Sequence, residues 1–149
     1  MEVVINVCYG GFSLSAMGIN KYAEYIGKKA YFFHGGLIEI YRPITLEEAQ
    51  SSLFFSAFSV PNPNDYLKRN KDGFFTKEAN EEYQKIVLPS GRELERNDPI
   101  LIKVVKELGK EANSRCAELK VIEIPNDIQW HIEDYDGVEH IAENHRTWS

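Results

Sequence analysis

The sequence is poor in the residues that would mark it as something specialised. It has two cysteines, Cys8 and Cys116, which match no metal-ligand spacing and provide no disulfide framework of the kind small secreted domains use. They read as reduced thiols that pack as small apolar residues. No apolar run is long enough to cross a bilayer, and no signal segment precedes the first strand, so the chain is expected in the cytosol with no membrane partner. Positive charge is scarce too: 17 Lys and Arg against 23 Asp and Glu leave a net charge of -6. That balance argues against broad neutralisation of DNA or RNA phosphates, but a small phosphorylated ligand needs only a few local donors. There is no P-loop, no Rossmann glycine fingerprint, no nucleophile-elbow serine, no internal repeat and no low-complexity tract.

What is present is an ordinary globular composition, 43% hydrophobic and 27% charged, with one stretch that stands apart. In VVINVCYGGFSLS, Val3, Val4, Ile5 and Val7 form a short apolar, β-branched run suited to a strand buried on both faces. Gly10-Gly11 then turns the chain. Ser13 and Ser15 are both positioned to cap a helix running to about Ile26. A strand, a glycine turn and a helix N-terminus present backbone N–H groups and the positive end of a helix dipole, an arrangement that suits phosphate. The competing reading is a plain tight turn. Gly27 is the expected C-cap of that helix.

Residues 30–33 and 37–41 read as a hairpin around Gly35-Gly36, and Thr45 with Glu48 has capping-box spacing for a short helix. A phenylalanine-rich strand is expected over 53–60. Residues 61–97 read as an irregular insertion containing a short helix capped by Thr76. Asp98-Pro99 is a strong helix start, with Leu101, Val104, Val105, Leu108 and Ala112 on one face and Gly109 inside. Residues 119–124 read as a strand. Ile128, Trp130 and Ile132 alternate with polar residues in another, and Asp136-Gly137 turns it back into Val138–Ala142. The whole is expected to be one α+β domain, a mainly antiparallel sheet packed against two principal helices.

VVINVCYGGFSLS, NDPILIKVVKELGKEANSRCAELKVIEIP and WHIEDYDGVEHIAENHRTW resemble a widespread family of small bacteriophage proteins. Through it the chain resembles phage anti-Thoeris sponge proteins, which bind cyclic ADP-ribose derivatives made by bacterial TIR enzymes and, in some cases, cyclic oligonucleotides. The segment from Gly27 to Arg92 has no counterpart in that resemblance. The resemblance implies a phage anti-defence protein in the host cytoplasm that sequesters a cyclic nucleotide signal without degrading it. It also implies a homodimer or higher oligomer with no cofactor.

Such a ligand asks for aromatic faces for adenine, donors for phosphates and polar groups for ribose. The candidates are Tyr9, Gly10, Gly11, Phe12, Ser13, Ser15, Asn113, Arg115, Arg146 and Trp148. Each has a plainer reading. Phe12 suits the core, Arg115 suits a cation complementing a helix C-terminus, and Trp148 suits a cover over a sheet edge. Two alternatives remain. One is a phosphodiesterase using His131 and Glu133 with His140 or His145, and the other is an inhibitor that binds a host protein directly.

Overall fold

The computed structural model describes every residue except Leu37, Ile38, Arg92, Arg146, Thr147 and Ser149. The described residues form a mixed α+β fold with small antiparallel sheets. They gather into two compact units: residues 1–18 with 90–149, and residues 19–89. The boundaries fall inside the first helix and at Pro89–Ser90.

In the first unit, strand β1 (Glu2–Asn6) pairs antiparallel with β5 (Leu119–Glu123), Val4 opposite Val121. Val3, Val4 and Ile5 are all buried, so successive side chains on both faces are covered, as their β-branched run anticipates. Helix α4 (Pro99–Leu108) packs on β1 and β5 through Leu101, Val104 and Val105. Asp98 caps it by accepting the Ile100 N–H, and Pro99 occupies the first helical position, where no N–H is needed. Gly109, expected inside this helix, ends it instead. Its φ of +57° breaks the α geometry, and a short 3-10 turn (Gly109–Ala112) follows.

Strands β6 (Trp130–Tyr135) and β7 (Val138–Glu143) make a hairpin whose two turn residues, Asp136 and Gly137, both have positive φ. The hairpin is fixed to β1 by a buried polar network. Asn6 is fully buried and all of its side-chain polar atoms are engaged. Nδ2 donates to the carbonyls of Cys8 (2.7 Å) and Gly137 (2.6 Å), and Oδ1 accepts from the N–H groups of Glu118 (2.8 Å) and Cys8 (3.3 Å). The Asn6 N–H donates to Oε1 of Glu139 at 2.7 Å. Both Glu139 oxygens accept from the guanidinium of Arg96, which lies 3.7 Å from the centre of the Phe12 ring. Phe12 is therefore core, under an arginine that is itself held in place.

In the second unit, β2 (Tyr31–His34) lies between β3 (Arg42–Ile44) and β4 (Ser56–Phe58). The expected hairpin partner over 37–41 is not the one found. Leu37 and Ile38 lie outside the described residues and 39–41 form no strand; the pairing strand comes later in the chain and contains Pro43, opposite Phe33. The strand expected over 53–60 shortens to three residues. Helix α2 (Leu46–Ser51) has the capping box foreseen at Thr45 and Glu48. Within the stretch read as an irregular insertion, the expected short helix forms as α3 (Lys77–Ile86), capped by Thr76, whose side chain accepts the Ala79 N–H. One face of the sheet closes over a cluster of Phe33, Tyr41, Phe58, Phe75 and Tyr83, with Tyr41 and Phe58 edge to face at 5.0 Å. Arg69 clasps the loops beside it, donating to the carbonyls of Gly36, Glu39 and Gly73 while lying over Phe75.

The Arg96–Glu139 pair yields the first prediction. Glu139→Ala leaves a buried guanidinium without its counter-ion and should cost about 3–5 kcal/mol. Urea unfolding of the variant against the parent measures this, and a loss under about 1 kcal/mol, the scale of an exposed pair, would show that the pair does not hold the hairpin.

Candidate functional site

The two blocks expected to share a site lie side by side in the first unit. Leu14 and Asn113 form an isolated antiparallel bridge, and the Ser15 N–H donates to the Ala112 carbonyl at 2.9 Å. The hydroxyls of Ser13 and Ser114 bond each other. Ser15 caps helix α1 (Ala16–Tyr25), accepting the Gly18 N–H at 3.1 Å and donating to the Glu111 carbonyl. Asn113 Oδ1 accepts the Leu119 N–H at 2.9 Å, which sets the start of β5. Most polar groups of this cluster therefore hold the two segments to each other.

The Gly10-Gly11 turn is also occupied. The Gly10 N–H donates to the Asp136 carbonyl at 3.2 Å, so the hairpin tip sits where a phosphate was expected. The approach is close enough that a Cβ on Gly137 would lie 2.2 Å from the Gly11 nitrogen. On its other side Gly10 meets residue 116: a Cβ there would lie 2.7 Å from the Cβ and carbonyl oxygen of Cys116. Both contacts need a residue with no side chain. The helix N-terminus beyond is closed by Ser15 itself, which is 4% exposed.

Open positions surround this junction. Tyr9 precedes Gly10 and is 67% exposed; Tyr135 precedes Asp136 and is 75% exposed. Arg115 precedes Cys116 and is exposed, with no ion pair among the described residues. Cys116 is exposed and Cys8 half-buried, which corrects the expectation that both pack as buried apolar residues; residue 116 lies on a surface turn against a glycine. Trp148 is 82% exposed, and Arg146 lies outside the described residues. Tyr135 is the residue that sequence reasoning missed. The Asp-Gly turn signal marks it as adjacent to a hairpin tip, but nothing in the local sequence says that the tip reaches Gly10.

A second cluster forms on the hairpin. Glu133 stands opposite His140 across the strands, and His131 precedes it by two residues on the same face. One Glu133 oxygen meets His131 Nε2 at 3.1 Å and the other meets His140 Nε2 at 2.8 Å, while His131 Nδ1 bonds Asn144 Oδ1. His145 is exposed. Among the described residues no three His, Cys, Asp or Glu side chains are arranged to hold a metal ion. The bonds to Asn144 and Glu133 hold His131 above its ordinary pKa, and the bonds from His131 and His140 hold Glu133 below its own.

No protein-family model, curated protein or solved structure matches the chain.

The hairpin cluster predicts a pH dependence. The contribution of His131 is complete below its ordinary pKa of 6.5 and is lost as pH rises through its raised value. That of Glu133 is complete above 4.5 and is lost as pH falls through its lowered value. The His131–Glu133 contact along β6 should thus be strongest between those two ordinary values. In an NMR titration of the imidazole signals, His131 should titrate above its ordinary value and move back toward it in Glu133→Gln. An unchanged midpoint in the variant would show that the contact does not form in solution.

Proposed function

We propose that this chain binds and sequesters a small cyclic nucleotide, of the cyclic ADP-ribose type or a cyclic oligonucleotide, without cutting it. In this reading it acts as a phage anti-defence protein against a TIR-generated signal in the bacterial host cytoplasm, as a homodimer or higher oligomer. The observation that carries it is the junction at Gly10. Three backbone segments meet there, and each bears, one residue away, an exposed side chain suited to a nucleotide: Tyr9, Tyr135 and Arg115. Tyrosine rings stack on a base, and the planar fork of arginine holds two phosphate oxygens at once. A chain of net charge -6 needs such a local cation to accept an anion at all. The Gly10 amide is engaged and Gly137 packs against the Gly11 nitrogen, so the reading rests on the side chains around the turn.

The second reading, a phosphodiesterase, is favoured by one observation, the assembly of His131, Glu133 and His140 on one face. Two features weigh against it. The three side chains bond one another in full contact with solvent, and acidic residues crowd the same hairpin.

Binding and cutting are separated by mixing the protein with a TIR-produced signal, filtering, boiling the protein and identifying what it releases. Intact signal supports sequestration; a cut product supports the enzyme. In calorimetry with cyclic ADP-ribose, Arg115→Ala should lose about 1.5–3 kcal/mol, roughly one to two decades in affinity. Removing either Tyr9 or Tyr135 should cost about 1–3 kcal/mol through lost stacking. Unchanged affinity in all three folded variants would place the ligand elsewhere and end this assignment.

A further inference from the structure

Within the second unit, residues 68–76 form a tight hairpin. The Thr76 N–H donates to the Lys68 carbonyl at 3.1 Å and the Asn70 N–H to the Phe74 carbonyl at 2.7 Å, with Arg69 and Phe75 bridged between them. Asn70 Oδ1 closes the turn by accepting the N–H groups of Asp72 and Phe74. Residues paired across such a ladder share a face, and successive residues alternate. Arg69 lies 4.5 Å from the centre of the Phe75 ring, and Phe75 packs on the aromatic cluster, so their face is turned inward. Phe74 and Lys68 stand on the other face. Phe74 is 59% exposed, Lys68 is exposed, and Lys71 is exposed at the tip.

A second apolar side chain starts beside this hairpin. The Arg69 guanidinium donates to the carbonyls of Gly73 (2.8 Å) and Glu39 (2.9 Å), the residues just before Phe74 and Ile40. Ile40 is 62% exposed. One cation thus fixes the backbone from which two large apolar residues meet solvent. The charge around them differs from that of the whole chain. The hairpin carries Lys68, Arg69 and Lys71 against Asp72 alone, in a chain of net charge -6, and Glu39 and Arg42 on the neighbouring loop offset each other. Apolar side chains bordered by lysines suit a membrane interface: the ring enters the boundary below the headgroups while lysine stems lift their ammonium groups to the phosphates. We propose that the 68–76 hairpin, with Ile40, is a docking site for an anionic lipid surface. A bilayer moulds itself around such side chains, whereas a protein partner must supply matching pockets. Among the described residues no helix is long and apolar enough to cross a membrane, and surface attachment needs none. The proposal departs from the expectation of no membrane partner, which rested on the lack of a spanning run. It does not depend on the nucleotide reading, whose residues belong to the first unit.

The test is co-sedimentation of the full chain with vesicles of phosphatidylcholine alone or of equal parts phosphatidylcholine and phosphatidylglycerol. The anionic vesicles should carry the protein down, less so as salt is raised. Lys68→Gln and Lys71→Gln should each lower the partition about fivefold, the scale of one basic side chain at such a surface. Phe74→Ser should lower it roughly tenfold, and Phe74→Trp should retain it, because indole also favours the interface. Ile40→Ser serves where the Phe74 variant does not fold. No sedimentation with anionic vesicles, equal sedimentation with neutral ones, or unchanged partition in the folded Phe74→Ser and Lys71→Gln variants would each overturn the proposal. Retention on immobilised polyglutamate with the vesicles left bare would assign the patch to an acidic protein instead and equally overturn it.

Discussion

The first unit depends on one buried asparagine. Asn6 ends β1 at a point where no water reaches, and an amide left unsatisfied there would cost more than any one hydrogen bond returns. Its groups are met by Cys8, Glu118, Gly137 and the carboxylate of Glu139, so one side chain ties the strand to the loop after it, to the approach to β5 and to the β6–β7 hairpin. Glu139 is in turn neutralised by Arg96. The two-stranded hairpin, marginal by itself, is held by this chain of fully partnered polar groups.

That constraint also decides what the glycine turn does. Once Gly137 is drawn in by the Asn6 amide, the hairpin tip lies against Gly10 and Gly11, and the Gly10 amide bonds protein backbone. The turn becomes a junction flanked by exposed side chains. Tyr9, Tyr135 and Arg115 are exposed for a geometric reason: each precedes a residue whose backbone is committed to the contact. A candidate site built this way has fixed backbone beneath side chains free to meet a ligand, the division of labour that favours binding.

The second unit follows different physics. Its core is a set of aromatic rings meeting edge to face, and its loops are clasped by the three-way contact of Arg69. Short strands of three or four residues suffice there because each ring buries a large area and orders its neighbours.

Local chemistry was enough to determine where three helices start and where the last hairpin turns. Asp98-Pro99, Thr76 and the Thr45–Glu48 box begin helices, Asp136-Gly137 turns a hairpin, and the alternation around Trp130 and Ile132 separates its two faces. Each of these signals acts over three or four residues, so each is written in consecutive letters. The side-by-side placement of residues 9–15 and 111–116 has no local signal, because no spacing rule links positions a hundred residues apart. Tertiary structure decided the rest: that Gly109 ends a helix, that β2 pairs with β3 and β4, that the hairpin tip reaches Gly10, and that His140 joins His131 around Glu133. Those outcomes depend on which distant partner satisfies a buried polar group or covers an apolar face, and that choice is made only when the chain closes on itself.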